Sequence, residues 1–135
     1  MSARRKPDTA AVAAHYAELA EYYRARENRA CRRAYRALAR TALADCASVL
    51  ELGGGASPLL PELGKRAGCV CDLSVPMLLA QPGAATPRAA ADVRALPFGT
   101  GVFDGVFCIN LFEHVPEPAA VLAECARVLK PGGRV

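Results

Sequence analysis

The sequence predicts an α/β chain, a doubly wound parallel sheet preceded by N-terminal helices. Three observations predict it. From Ser48 onward, short apolar runs alternate with helical segments, the pattern of strand–helix–strand units with right-handed crossovers. The first run, Val49–Leu52, stops at three successive glycines, as a buried strand entering a tight turn would. Residues 9–44 differ in character, being amphipathic and rich in arginine.

Each element follows from local chemistry. Residues 9–44 read as two helices. Val12, Tyr16, Leu19 and Tyr23 form one apolar stripe, and Cys31, Tyr35, Leu38 and Ala42 a second. Val49–Leu52 is the first strand. Residues 57–67 read as a short helix, with Pro58 in its first turn and Gly68 at its stop. Cys69–Asp72 is the second strand, and Ser74 caps a helix reaching about Ala80. Pro82, Gly83 and Pro87 make a loop before a weak third strand at 88–92. Phe103–Ile109 is almost continuously apolar, as a strand buried on both faces is. Pro116 and Pro118 open a helix with Val121, Leu122, Cys125, Val128 and Leu129 on one face. Lys130-Pro131-Gly132-Gly133 ends that helix, and Arg134-Val135 begins a fifth strand.

Composition narrows the function class. The chain has 135 residues, enough for one domain, with 53% hydrophobic and 22% charged residues. Disorder and collagen are excluded. No apolar run is long enough to span a bilayer, and no signal peptide opens the chain. The six cysteines form no C-x-x-C pair and only two histidines are present, so no metal site is expected. Free thiols in apolar runs suit a reducing, cytoplasmic setting. The net charge is +4, but residues 1–40 hold ten Arg/Lys and four Asp/Glu, a balance of +6. The rest holds seven and nine, a balance of −2. The basic character belongs to the N-terminal segment, either as a solvated helix face or as a surface for an acidic substrate or nucleic acid. Residues 1–45 are therefore read as a basic helical cap and 46–135 as the ligand-binding domain.

The turn Glu51-Leu52-Gly53-Gly54-Gly55-Ala56-Ser57-Pro58 carries the chemistry. Gly53 and Gly55 fit the start of a dinucleotide fingerprint, but Pro58 stands where its last glycine belongs, which argues against a nicotinamide cofactor. Glu51 would repel a diphosphate, yet attract the ammonium of an amino acid. Asp72, nineteen residues after Gly53, ends the second strand, where a carboxylate can accept ribose hydroxyls. A ligand with an amino-acid end and a nucleoside end satisfies all three. S-adenosyl-L-methionine is such a ligand.

Four stretches resemble one family. They are VLELGGGASP (49–58), VCDLSVPML (70–78), ADVRALPFGTGVFDGVFCINLFEHV (91–115) and LAECARVLKPGGRV (122–135). They occur in the order and spacing of class I S-adenosylmethionine-dependent methyltransferases, in particular the group that includes the ubiquinone and menaquinone C-methyltransferases. The resemblance implies a Rossmann-like fold, here a partial one, since Val135 falls where the family's fifth strand begins. It implies a methyltransferase acting on a C, N or O nucleophile of a small molecule. The alternative is a catalytically incomplete module that binds cofactor or a partner chain. Nucleic acid and membrane are not expected partners. The fourth strand, left near a sheet edge, invites self-association.

The resemblance also implies residue roles. Glu51, Gly53 and Gly55 line the methionine part, with Ser57 in place of the family's usual third glycine. Asp72 holds the ribose, Leu73 and Met77 lie beside the adenine, Asp92 accepts from its amino group, and Val93 packs near the ring. Asn110 and Leu111 lie near the sulfonium. Glu113 and His114 follow the fourth strand, where His114 could act as general base, a loop hydrogen-bond pair being the competing role. Tyr16, Tyr22 and Tyr23 could cover the cofactor or pack the core. His15 is expected to be structural, and Asp104 to serve a hydrogen bond at a strand start.

Overall fold

The computed structural model describes residues 9–25, 28–64, 67–83 and 85–135, without the side chains of 21 and 23–25. The basic cluster at 4–6, Arg26, and the side chains of Tyr23 and Arg24 lie outside the described residues. Helices α1 (Thr9–Ala25) and α2 (Arg29–Ala42) come first, followed by β1 (Ser48–Leu52), β2 (Ala67–Asp72), α3 (Val75–Ala80) and β3 (Arg88–Ala90). Then come β4 (Phe103–Cys108), α4 (Pro118–Val128) and β5 (Leu129–Arg134). All strands pair in parallel in the order β3-β2-β1-β4-β5. The chain runs outward from β1 to β3 and returns on the other side at β4. The ends of β1 and β4 thus flank a topological switch point, where open α/β sheets bind ligands.

β1 is buried on both faces, which is why it reads as a continuous apolar run. Alternation divides its side chains. Leu50 and Leu52 join Cys71, Val106, Val121, Cys125 and Val128 in the core under α4. Val49 joins Val70, Leu59, Leu60, Ala39 and Leu43 in the core under α2. Ala20 of α1 packs on Met77 of α3 and on Ala56, with Tyr16 beside them.

Four expectations change. Residues 57–67 are not an α-helix: a single 3₁₀ turn spans Leu60–Glu62, after Pro58 and around Pro61. Gly68 does not stop a helix. It lies in β2 opposite Val49, and a Cβ there would stand 2.3 Å from the Val49 carbonyl oxygen. Lys130–Gly133 belongs to β5 rather than to a helix terminus. Between Leu129 and Arg134 the edge strand takes five steps while β4 takes two, from Phe103 to Gly105. Pro131 cannot donate to the ladder and Gly132 takes φ +76°, so the excess is absorbed as a bulge. β4 therefore has a neighbour on each side, and the strand at that edge is β5.

The fourth change is the face that α2 presents. Leu38 is 69% exposed and Cys31 and Tyr35 are also exposed. The side turned inward carries Arg32, Arg36, Ala39 and, past the helix end, Leu43. Arginines can face inward because the 57–62 segment supplies acceptors for their guanidinium groups. Arg32 donates to the carbonyls of Ser57 (3.0 Å) and Pro58 (2.8 Å) and pairs with Glu62. Arg36 reaches the other oxygen of Glu62 at 3.0 Å.

Candidate active site

A cavity of about 600 Å³ opens along the carboxyl ends of the strands. The glycine turn forms its floor. Gly53 (φ +66°) and Gly55 (φ +55°) adopt the left-handed conformation that only glycine takes readily. The N–H groups of Gly53 and Gly54 both donate to the Cys71 carbonyl, at 2.7 and 3.4 Å, which fixes the turn to the end of β2. A Cβ on Gly54 would lie 2.4 Å from Val70 Cγ1, so the turn can pack closely only without one. A Cβ on Gly55 would meet nothing within 4 Å, so this backbone stands open to the cavity it lines.

Asp72 secures the same turn. Its Oδ2 accepts from Gly55 N (2.9 Å) and its Oδ1 from Ser74 N (2.8 Å). Burial raises its pKa against the lowering effect of these N–H donors. Asp72 lines the cavity, and its carboxylate has acceptor capacity beyond these donors. Gln81, which the sequence did not single out, donates to Gly55 O at 2.6 Å from the end of α3. Leu73 and Met77 line the wall, Met77 being only 3% exposed.

Glu51, at the end of β1 beneath the turn, also lines the cavity. It is 4% exposed, and its carboxylate accepts from Leu59 N (2.8 and 2.9 Å) and Leu60 N (2.7 Å). Its oxygens thus serve the chain segment that follows the turn. Burial lifts its pKa to about 7 even against those two donors and Arg32. Ser57 lines the cavity and gives its carbonyl to Arg32.

The far side comes from the loops after β3 and β4. Asp92 and Val93 line it, with Asp92 held by Arg94. The Arg94 guanidinium keeps the Asp92 carboxyl below its ordinary range. Asn110 and Leu111 follow β4. Asn110 has φ +53°, the only non-glycine residue with positive φ among those described, a strained conformation that clusters at ligand sites. Leu111 fills the space beside Gly53. His114 lines the cavity and meets the Tyr16 ring edge-on at 5.3 Å, so α1 covers this side. Glu113 does not line it: its side chain is 55% exposed and approaches His114 Nε2 at 3.8 Å. Tyr22 lines the cavity as well, and His15 packs edge-on against Tyr16. Asp104 lies away from the cavity, accepting from Ser48 N and Lys130 Nζ at 2.8 Å each. Sequence reading missed Arg94 and the α2 residues Cys31, Arg32 and Tyr35, which also reach the cavity.

Residues 50–135 match the family model described as a methyltransferase domain. The chain belongs to that family. A demethylmenaquinone methyltransferase from Mycolicibacterium vanbaalenii is 43% identical over 89 residues, 64% of this chain and 39% of the relative. The chain thus spans about two-fifths of that relative's length. The fold matches the cyclase SpnF with a TM-score of 0.81 at 18% identity, over 98% of this chain and 60% of that one. It matches the magnesium protoporphyrin IX methyltransferase from Synechocystis, solved with bound S-adenosylmethionine, with a TM-score of 0.73 at 16% identity. That match covers 95% of this chain and 74% of the other. A cyclase and a methyltransferase share this fold, so fold alone does not set the chemistry. The methyltransferase assignment rests on the family match. The residues present fit S-adenosylmethionine: an open glycine cradle at Gly55 and an acceptor carboxylate at Asp72 bound the same cavity.

Proposed function

We propose that this chain forms the cofactor part of a methyltransferase site that transfers a methyl group to a C, N or O nucleophile of a small molecule. The observation that carries the reading is the convergence of two left-handed glycines, Asp72, Asp92, Asn110 and His114 on one cavity. Bound there, S-adenosylmethionine supplies an electrophilic methyl on its sulfonium. The chain's own residues bind and orient. Gly53 and Gly55 let the backbone approach the methionine part, which Glu51 lines from below while its oxygens hold the Leu59 and Leu60 N–H groups. Asp72 accepts the ribose hydroxyls, while Leu73, Met77 and Val93 pack on the adenine and Asp92 accepts from its amino group. Asn110 and Leu111 stand at the reacting end. His114, ordered by Tyr16 and assisted by Glu113, takes a proton from the acceptor where its nucleophile carries one.

Within the 1–45 segment, α1 and α2 act as a cap, since both supply cavity walls. The name of the demethylmenaquinone relative supports a small organic acceptor. Free, mostly buried cysteines support a reducing, cytoplasmic setting. No described helix is long and apolar enough to cross a membrane.

The test is a thermal-shift titration with S-adenosylhomocysteine, with NAD as control. Ligand at 100 times its dissociation constant adds about 2.7 kcal/mol, a rise of about 10 °C for a domain of this size. The rise should disappear in Asp72→Asn with the unliganded midpoint still measurable. A folded wild-type chain whose midpoint does not move would defeat the reading.

A further inference from the structure

The loop after β3 contains a charge cluster that the proposed function leaves unexplained. The backbone N–H of Arg94 donates to Asp92 Oδ1 at 2.9 Å. Its Nε contacts both oxygens, at 3.0 and 3.2 Å, and its Nη2 reaches Oδ2 at 2.6 Å. The other edge of the guanidinium looks outward. Nη1 donates to Glu117, the residue preceding α4, at 3.1 Å, and Nη2 to Thr9 Oγ1, at the first residue of α1, also at 3.1 Å. One side chain therefore joins three elements at one end of the cavity. Asp92, Arg94 and Thr9 all line that end.

A carboxylate offers about four acceptor positions. Three N–H groups of Arg94 occupy this one, which leaves room for one more donor. The planar fork fixes the plane of the carboxylate as well as its charge, as a lysine could not. Its anchors on Thr9 and Glu117 hold the fork itself in place. A donor approaching from the cavity thus meets an ionised acceptor of set direction.

Resting on the reading of the cavity as an S-adenosylmethionine site, we propose that Arg94 is a positioning residue for recognition of the purine. By fixing Asp92 between α1 and α4 it makes the nucleoside end of the cavity selective for a purine that carries an exocyclic amino group.

The experiment is isothermal titration calorimetry with two ligands. One is S-adenosylhomocysteine and the other its analogue with hydrogen in place of the exocyclic amino group. A hydrogen bond to an ionised group predicts that wild type binds the analogue about tenfold to a hundredfold more weakly. In Arg94→Met the preference should fall below about threefold, chiefly through weaker binding of S-adenosylhomocysteine. Arg94→Lys, which restores the cation without the fork, should recover part of it. If Arg94→Met weakens both ligands equally and keeps the preference, Arg94 serves only the fold and the proposal is overturned. A wild type that binds both ligands alike overturns it too. A wild type that binds neither overturns the cofactor reading itself, a distinct result. Should Arg94→Met fail to fold, Thr9→Ala combined with Glu117→Gln removes the two outer anchors. A drop in preference of at least threefold then supports the proposal, and an unchanged preference overturns it.

Discussion

Glu51 shows how one residue can serve the scaffold at a functional site. The alternation along β1 turns it to the α2 side, among Val49, Val70, Leu59 and Leu60, where its oxygens accept from the Leu59 and Leu60 N–H groups. Burial dominates its proton affinity and lifts its pKa from 4.5 to about 7. In that interval the folded chain holds a proton that the unfolded chain has released. The stability this proton contributes is complete below 4.5 and is lost as pH rises through 7. Asp72 is shifted in the same direction by burial, whereas Asp92 and Glu62 are shifted down and act only in acid. We therefore expect the melting temperature to fall between pH 5 and 8. In Glu51→Gln the dependence should be shallower by up to one proton, about 1.4 kcal/mol per pH unit. Parallel curves for the two proteins would assign the slope to other groups.

At the scale of elements, the telling contact is α2 against the 57–62 segment. Apolar periodicity points to the Cys31, Tyr35 and Leu38 face of α2, whereas the face that packs inward carries arginines, which periodicity takes as solvent-facing. Here Arg32, Arg36 and Arg40 all close on that segment, Arg40 through the Glu62 carbonyl at 2.8 Å. The contact orders the chain that leaves the glycine turn, so the basic helix helps shape the cavity. Charge-assisted bonds at half-buried positions are partly screened. Arg32→Met should cost about 1–2 kcal/mol and speed amide exchange at Leu59, Glu62 and Leu63 more than in β1. Added salt should narrow the difference from wild type. Equal melting temperatures in low salt would show that the arginines are ornaments on a helix held by Ala39 and Leu43 alone.

For the whole molecule, legibility followed burial. The central strands β1, β2 and β4 could be read because a strand covered on both faces must be apolar. The glycine turn could be read because its backbone conformation excludes other residues, and Asp72 because a strand end fixes where its side chain stands. What escaped was whatever depends on partners distant in sequence. Gly68 is explained by Val49 across the ladder, β5 by its register on β4, and Arg94 by Thr9, which lies eighty-five residues earlier. The same distances ask whether the α2 side and the α4 side of the sheet unfold together. The cysteines can answer this. Cys31 is exposed and Cys108 half-buried, whereas Cys46 lies in the core under α2 and Cys69, Cys71 and Cys125 in the core under α4. Burial pushes the Cys71 thiol up to about 12 and Cys125 to about 11, so neither reacts while folded. With a thiol reagent in native buffer, Cys31 should react first and Cys108 next. Cys46, Cys69, Cys71 and Cys125 should then follow at one shared rate, because β1 belongs to both cores and neither can open without it. A Cys46 that reacts well ahead of Cys125 would mean that α2 opens independently of the sheet, and that the cavity can lose this wall without unfolding.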